Sequence, residues 1–341
     1  MTEHEKHLRI HQSIDQVDRD EWTGVVKAAD APVFYDYTFL RAYERAPLQA
    51  TGAFFYLMFG RPAVAVLPAY IQSTDDPLGI LSGLGLPGED PGDQILLTHI
   101  AHCYDTGFPV RPGLPAAQLA EQACQALAGL ARQAGVGWIG FLNVAGSAPM
   151  ASGLTAAGLA KLPMNTRFHQ DVTGYGTAEE FVADIPSKKA RRALRTSRHQ
   201  ACRAGMEIIT LDPAREAGSA VEMCRRTTAR HGTAEYYPEQ FHEFVALAAD
   251  LMTVTEVRLR GDLAAGIICL SDRTRFHLWA GGIDYEVTAG IHNAFALMLW
   301  PSLEETIRQG RPVIEAGRGN AAAKQRFRLD PIPLFAFVGR P

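Results

Sequence analysis

The sequence predicts a mixed α/β (α+β) fold built from a duplicated unit, each copy a largely antiparallel sheet flanked by helices. Three observations point there. An order of strand, Gly turn, strand, loop, helix, Gly and strand occurs twice, with Gly60 and Gly261 marking the hairpins and Gly135 and Gly310 the helix ends. The chain has 341 residues, enough for two domains of about 150 to 200 residues. With 47% hydrophobic and 21% charged residues, each copy can bury its own core.

Residues 1 to 31 are polar and helix-permissive. The aromatic-rich PVFYDYTFLRAYERAPL (32 to 48) turns into a helix, and its Tyr35 and Tyr37 are either core or the lining of a pocket. AFFYLMFGRPAVAVLPAYIQ (53 to 72) reads as a hairpin turning at Gly60-Arg61-Pro62. Residues 74 to 93 form a long loop, whose LSGLGLPG run lacks the GK[ST] ending of a P-loop and the setting of a dinucleotide fingerprint. A helix over 116 to 134 stacks Leu119, Ala120, Ala123, Leu127, Leu130 and Ala131 on one stripe and closes at Gly135. A buried strand follows at Trp138 to Val144, then a short helix near 150 to 160 and a strand at 167 to 173.

Thr177 and Glu180 make a capping box. The domain boundary is placed just before it, giving domains 1–174 and 175–341. The second domain continues with a strand at Met206 to Leu211, helices over 214 to 230 and from Pro238 to about 250, strands within 254 to 271 and 275 to 283, a helix through 291 to 309 that Pro301 kinks or divides, and a strand at Val313 to Ala316.

PSKKARRALRTSRHQACRAG (186 to 205) carries seven of the chain's 33 basic residues. On a helix capped by Ser187 and closed by Gly205, Lys188, Arg191, Arg192, Arg195, Arg198, His199 and Arg203 share a face. Ala190, Ala193, Leu194, Ser197 and Ala201 fall on the other. No Asp or Glu lies between Asp184 and Glu207, so the local field suits an anionic partner. The chain as a whole is acidic, at net −4, which excludes a general nucleic-acid coat protein.

Five scattered cysteines without CxxC argue against a disulfide framework, and the histidines lack HExxH spacing, so no metal is expected. MTEHEKHLRIHQ has no apolar run and no window reaches 18 apolar residues, so neither a signal peptide nor a membrane span is expected and a cytoplasmic location is.

The basic SKKARRALR helix, the strands RGDLAAGIICLSDRTRFHLWAGGIDYE, the helix after them and VIEAGRGNAAAKQRF together resemble the Fem-type (FemAB-like) branch of the GNAT N-acyltransferase superfamily. The resemblance covers residues 177 to 330 and implies two GNAT folds, the active groove lying between or beside them. It implies an activated acyl donor attacked by an amine, with no tightly bound cofactor. Aminoacyl-tRNA is the favoured co-substrate, met by the basic helix, and a small-molecule or peptide amine in a biosynthetic pathway is the acceptor. The alternatives are an acyl-CoA-dependent enzyme of the same fold and an inactive binding module. Ordinary CoA enzymes hold diphosphate on backbone amides of a [RQ]xxGx[GA] loop, and DYEVTAGIHNAFAL here departs from it.

The site residues expected on this basis are Lys324, Glu315, Asp284 and His292 for catalysis. Lys324 is read as a cation for an oxyanion or phosphate, and Glu315 as either paired inside or poised to take the acceptor's proton. Lys188, Arg191, Arg192, Arg195, Arg198 and Arg326 are expected to bind donor phosphate. Tyr35, Tyr37, Trp279 and Tyr285 are the candidates for an acceptor pocket.

Overall fold

The computed structural model describes residues 7–73, 94–100, 102–231 and 236–341. The loop expected over 74–93 and the residues just past His231 lie outside them. The chain divides into two units, Met1–Asn165 with Pro333–Pro341, and Thr166–Ile332. The sequence reading cut the chain at residue 174; the structure cuts it at 165/166, inside a strand, and returns the C-terminus to the first unit.

In the first unit β1 (Leu8–His11) is followed by α1 (Arg19–Ala28) and α2 (Tyr37–Arg45). Of the stretch read as helix-permissive, Arg19–Ala28 is helical, while Leu8–His11 is a strand paired with β2. Next come β2 (Thr51–Phe59), β3 (Ala65–Ser73), β4 (Gln94–Thr98), α3 (Ala116–Ala134), β5 (Trp138–Ala145) and α4 (Ala151–Ala156). The sheet runs β1-β2-β3-β4-β5 and ends on β12 (Asp330–Gly339). β12 pairs antiparallel with β5, Leu334 opposite Ala145 and Gly339 opposite Ile139. Its sequence DPIPLFAFVG has two prolines at the start, and Leu334, Ala336, Phe337 and Val338 are buried.

The strand β6 (Ala160–Asp171) leads into the second unit. There α5 (Ala178–Asp184), α6 (Lys188–Arg203), β7 (Met206–Leu211), α7 (Gly218–Arg230), α8 (Phe241–Leu247), β8 (Met252–Leu259), β9 (Asp262–Ser271), β10 (Arg275–Ile283), α9 (Ala296–Arg308), β11 (Val313–Arg318) and α10 (Ala321–Arg326) follow. The sheet order is β6-β11-β10-β9-β8-β7. α9 starts later than expected and runs through Pro301 undivided.

The duplication is visible in the pairing. In each unit one helix crosses between two parallel neighbours, α3 between β4 and β5, and α9 between β10 and β11. All the other pairs whose register is known are antiparallel. Parallel neighbours need a crossover connection, here a helix in each unit. The second unit's core joins Phe181, Leu194, Ile267, Phe276, Leu299, Leu303 and Phe327. Gly282 is required by packing: a Cβ there would sit 2.2 Å from Met223 O, so β10 and α7 meet backbone to backbone. Among the described residues no helix is long and apolar enough to cross a membrane.

Candidate active site

The site begins where β10 and β11 part. They pair in parallel only at Arg275–Val313, Phe276–Ile314 and His277–Glu315. Beyond this β10 carries a bulge between Leu278 and Ala280, and β11 shifts register against β6 between Glu315 and Arg318. The carboxyl ends of parallel strands that separate are the usual place for a ligand in α/β sheets.

Glu315, at the last paired position, is buried and ion-paired with Arg167 of β6. The chain then turns through Gly317, Gly319 and Asn320, all at positive φ, and enters α10. Lys324 of that helix reaches back. Its Nζ donates to Gly317 O at 3.2 Å and Arg318 O at 2.6 Å, and it is only 4% exposed. Burial, and then the Arg318 guanidinium, push its ammonium down to about 7. Arg318 itself donates to Tyr236 Oη at 3.3 Å.

This shift has a stability consequence. Between about pH 7 and the ordinary lysine value the unfolded chain binds a proton at Lys324 that the folded chain does not. Stability therefore rises with pH across that window, by about 1 kcal/mol per unit. In urea unfolding between pH 6.5 and 9, the difference between wild type and Lys324→Met is expected to move in favour of wild type as pH rises. A pH-independent difference would contradict the buried, easily deprotonated lysine.

The other expected catalytic residues hold the segment between β10 and α9. Asp284 Oδ1 accepts from the amides of Glu286 at 2.9 Å and Val287 at 3.1 Å, fixing a turn. His292 is exposed, and its amide donates to Gln200 Oε1 of α6; the Asn293 amide donates to Ser197 Oγ. The amides of Thr288, Ala289 and Ile291 find carbonyls within the segment, and that of Phe295 donates to Asn293 Oδ1. A cradle for diphosphate needs open backbone amides, and these eight are taken up inside the protein.

The acceptor candidates fall in different places. Trp279 packs against Phe241 and Phe244, with ring centroids 5.8 and 5.6 Å away, and is core. Tyr285 is exposed, under the Arg230 guanidinium at 4.7 Å, beside Asp284 in a cleft of ≈ 210 Å³. Tyr35 and Tyr37 belong to the first unit. Tyr35 donates to Gly107 O and accepts from Gly107 N, and burial pushes its phenol well up; Tyr37 donates to Ile14 O.

The helix α6 buries Ala190, Ala193, Leu194, Ser197 and Ala201, the five positions that its periodicity assigns to one face. Ser187 caps it. Its cations are less open than the local sequence suggests, because folding brings acids from outside the window. Arg195 pairs with Glu179, while Arg198 lies over the Trp300 ring at 4.4 Å and reaches Glu304. Arg191 donates to the carbonyls of Ile185 and Pro186. Arg326, half-buried, lies 5.7 Å from the Phe327 ring centroid. Lys188, Lys189, Arg192, His199 and Arg203 remain exposed.

Sequence reasoning missed Arg167 and Arg318. Arg167 meets its partner across 148 positions, a contact no local pattern reports. The signal for Arg318 was present: it follows Gly317 and precedes Gly319, at the end of the strand that bears Glu315.

Residues 188–325 match the family model described as an acetyltransferase (GNAT) domain. Three solved structures share the fold over nearly the whole chain. FemX is 10% identical, covers 96% of both chains and has a TM-score of 0.62. The C-terminal domain of a putative lysylphosphatidylglycerol synthetase from Agrobacterium fabrum is 12% identical, covers 96% of this chain and 92% of its own, and has a TM-score of 0.60. A tandem GNAT protein from the clavulanic acid biosynthesis pathway is 14% identical, covers 98% of both chains and has a TM-score of 0.54. No curated protein matches the chain by sequence. Residues 188–325 thus match a GNAT acetyltransferase domain, and the whole chain shares its fold with FemX and with a tandem GNAT protein.

Proposed function

We propose that the protein transfers an aminoacyl group from aminoacyl-tRNA to the amine of a small molecule or peptide, in a cytoplasmic biosynthetic pathway. The observation that carries the choice of donor is the segment between β10 and α9. The amides of Glu286, Val287, Thr288, Ala289, Ile291, His292, Asn293 and Phe295 are bonded to Asp284, Gln200, Ser197, Asn293 and nearby carbonyls, so few remain to cradle a diphosphate there. A donor whose phosphates are met by side chains suits α6 instead.

The chemistry needs a neutral amine, a polarised ester carbonyl and a route for one proton. A neutral Lys324 has two N–H groups and one lone pair. The two carbonyls it contacts use both hydrogens, which leaves the lone pair to accept. In this reading the acceptor nitrogen attacks the ester carbon, the carbon–oxygen bond to the ribose breaks, and the proton passes from nitrogen through Lys324 Nζ to the departing ribose oxygen. The permanent charge of Arg318 takes the role of oxyanion partner that the sequence reading gave to Lys324. Glu315 holds Arg167, and Asp284 and His292 shape the segment before α9.

The acyl-CoA reading is kept by one observation, the description of the matching family model as an acetyltransferase domain. The test offers purified protein a pool of charged tRNAs and, separately, acyl-CoA thioesters, with hydroxylamine as acceptor. The expected result is acyl transfer from one class of aminoacyl-tRNA. Transfer from thioesters alone would make the second reading the correct one.

A further inference from the structure

We propose that a single RNA strand lies along the exposed row of α6 and that one nucleotide near its acylated end enters the cleft beyond the helix's C-terminus. This rests on the aminoacyl-tRNA reading and assigns it a track and a pocket. Lys188, Arg192, His199 and Arg203 recur at helical spacing on one exposed face, with Lys189 beside them. From the first to the last the row is about 22 Å long at 1.5 Å per residue. Among the described residues, no acidic side chain forms an ion pair with Lys188, Lys189, Arg192 or Arg203. They differ in this from Arg195 and Arg198, which folding neutralises.

The row ends in an open cleft of ≈ 660 Å³ lined by His199, Arg203, Arg260, Asp262, Glu286 and Ile291 among others. The turn between β8 and β9 is fastened to the helix end by the Arg260 amide, which donates to Ala204 O at 2.9 Å. Arg260 stands at φ 54°, an uncommon conformation for a long side chain, so the turn holds this arginine at the cleft at some conformational cost.

The charges of the cleft select which part of a nucleotide enters. A helix C-terminus disfavours anions, and Asp262 and Glu286 add negative charge to the cleft lining beside Arg260. Phosphates therefore belong on the row, and the cleft takes sugar and base. Carboxylates accept ribose hydroxyls, which is how a protein distinguishes RNA from DNA, and a guanidinium plane such as that of Arg260 stacks on a base.

The test uses bulk tRNA, a six-nucleotide RNA ending in CCA and the DNA of the same sequence, with binding followed from 50 to 300 mM salt. Four phosphate contacts on single-stranded nucleic acid predict a slope of log K against log salt of about −3. Arg192→Gln and Arg203→Gln are each expected to reduce the steepness by about 0.7, and the pair to weaken tRNA binding at least tenfold. Asp262→Asn with Glu286→Gln is expected to remove the preference for RNA over DNA. Arg215→Gln, an exposed cation off the row, serves as the control and is expected to change neither. Two results would overturn the proposal, and they are distinguishable. If aminoacyl-tRNA is a donor and the row and cleft variants behave like Arg215→Gln, the track fails while the donor reading stands. If no RNA binds and thioesters alone are turned over, the donor reading fails and the track with it.

Discussion

Replacing Glu315 alone by leucine is expected to destabilise the second unit by about 3–5 kcal/mol, because it leaves the Arg167 guanidinium buried without its counter-charge. Arg167→Met alone is expected to cost a similar amount. The double variant should recover most of the loss, since two apolar side chains of similar size fill the space without a desolvated charge. Both partners are almost fully enclosed, so solvent does little to screen the pair. Urea unfolding of the three variants measures these differences. The same variants separate a structural from a chemical role. A folded double variant that keeps its transfer rate places Glu315 in the architecture of the strand end; a folded double variant that has lost it places Glu315 in the reaction.

Lys324→Met is expected to lower kcat about 100-fold or more, within the range a positioned proton acceptor contributes. Methionine preserves the length and burial of the side chain but has no lone pair for a proton. Lys324→Arg is not expected to restore the rate, because a guanidinium stays charged and cannot accept. The apparent KM for the acceptor should change little, since the proposed role lies in the transition state and not in uniform binding. A Lys324→Met enzyme with normal kcat would remove this residue from the chemistry.

Much of the fold is legible in local patterns. The stripe of α3, the cap of α5 by Thr177 and the two faces of α6 follow from the periods of helices and from side-chain capping. The Gly60 and Gly261 hairpins follow from turn chemistry, and both glycines stand at positive φ. Features that depend on distant partners are not legible. The last strand, β12, finds its partner β5 about 190 positions upstream, and the sequence reading ends at the strand before it. The charge of α6 reads as one-signed because Glu179 and Glu304 lie outside its window. Lys324 stood out as one of several cations in AAAKQRFR, and only its burial against Gly317 and Arg318 sets it apart from a solvated charge. Tyr35 and Trp279 illustrate the reverse: aromatic clustering left core and pocket open, and packing puts both in the core.

The most direct measurement is the single-turnover rate of acyl transfer between pH 5.5 and 9, with a charged donor and an acceptor whose amine stays neutral over that range. Wild type is expected to gain close to tenfold per pH unit below about 7 and to level off above it, as Lys324 loses its proton. Lys324→Met should be slow at every pH and show no such inflection. No transfer from any charged tRNA or thioester, or a wild-type rate that is flat or falls with pH, would contradict an acyltransfer site centred on Lys324.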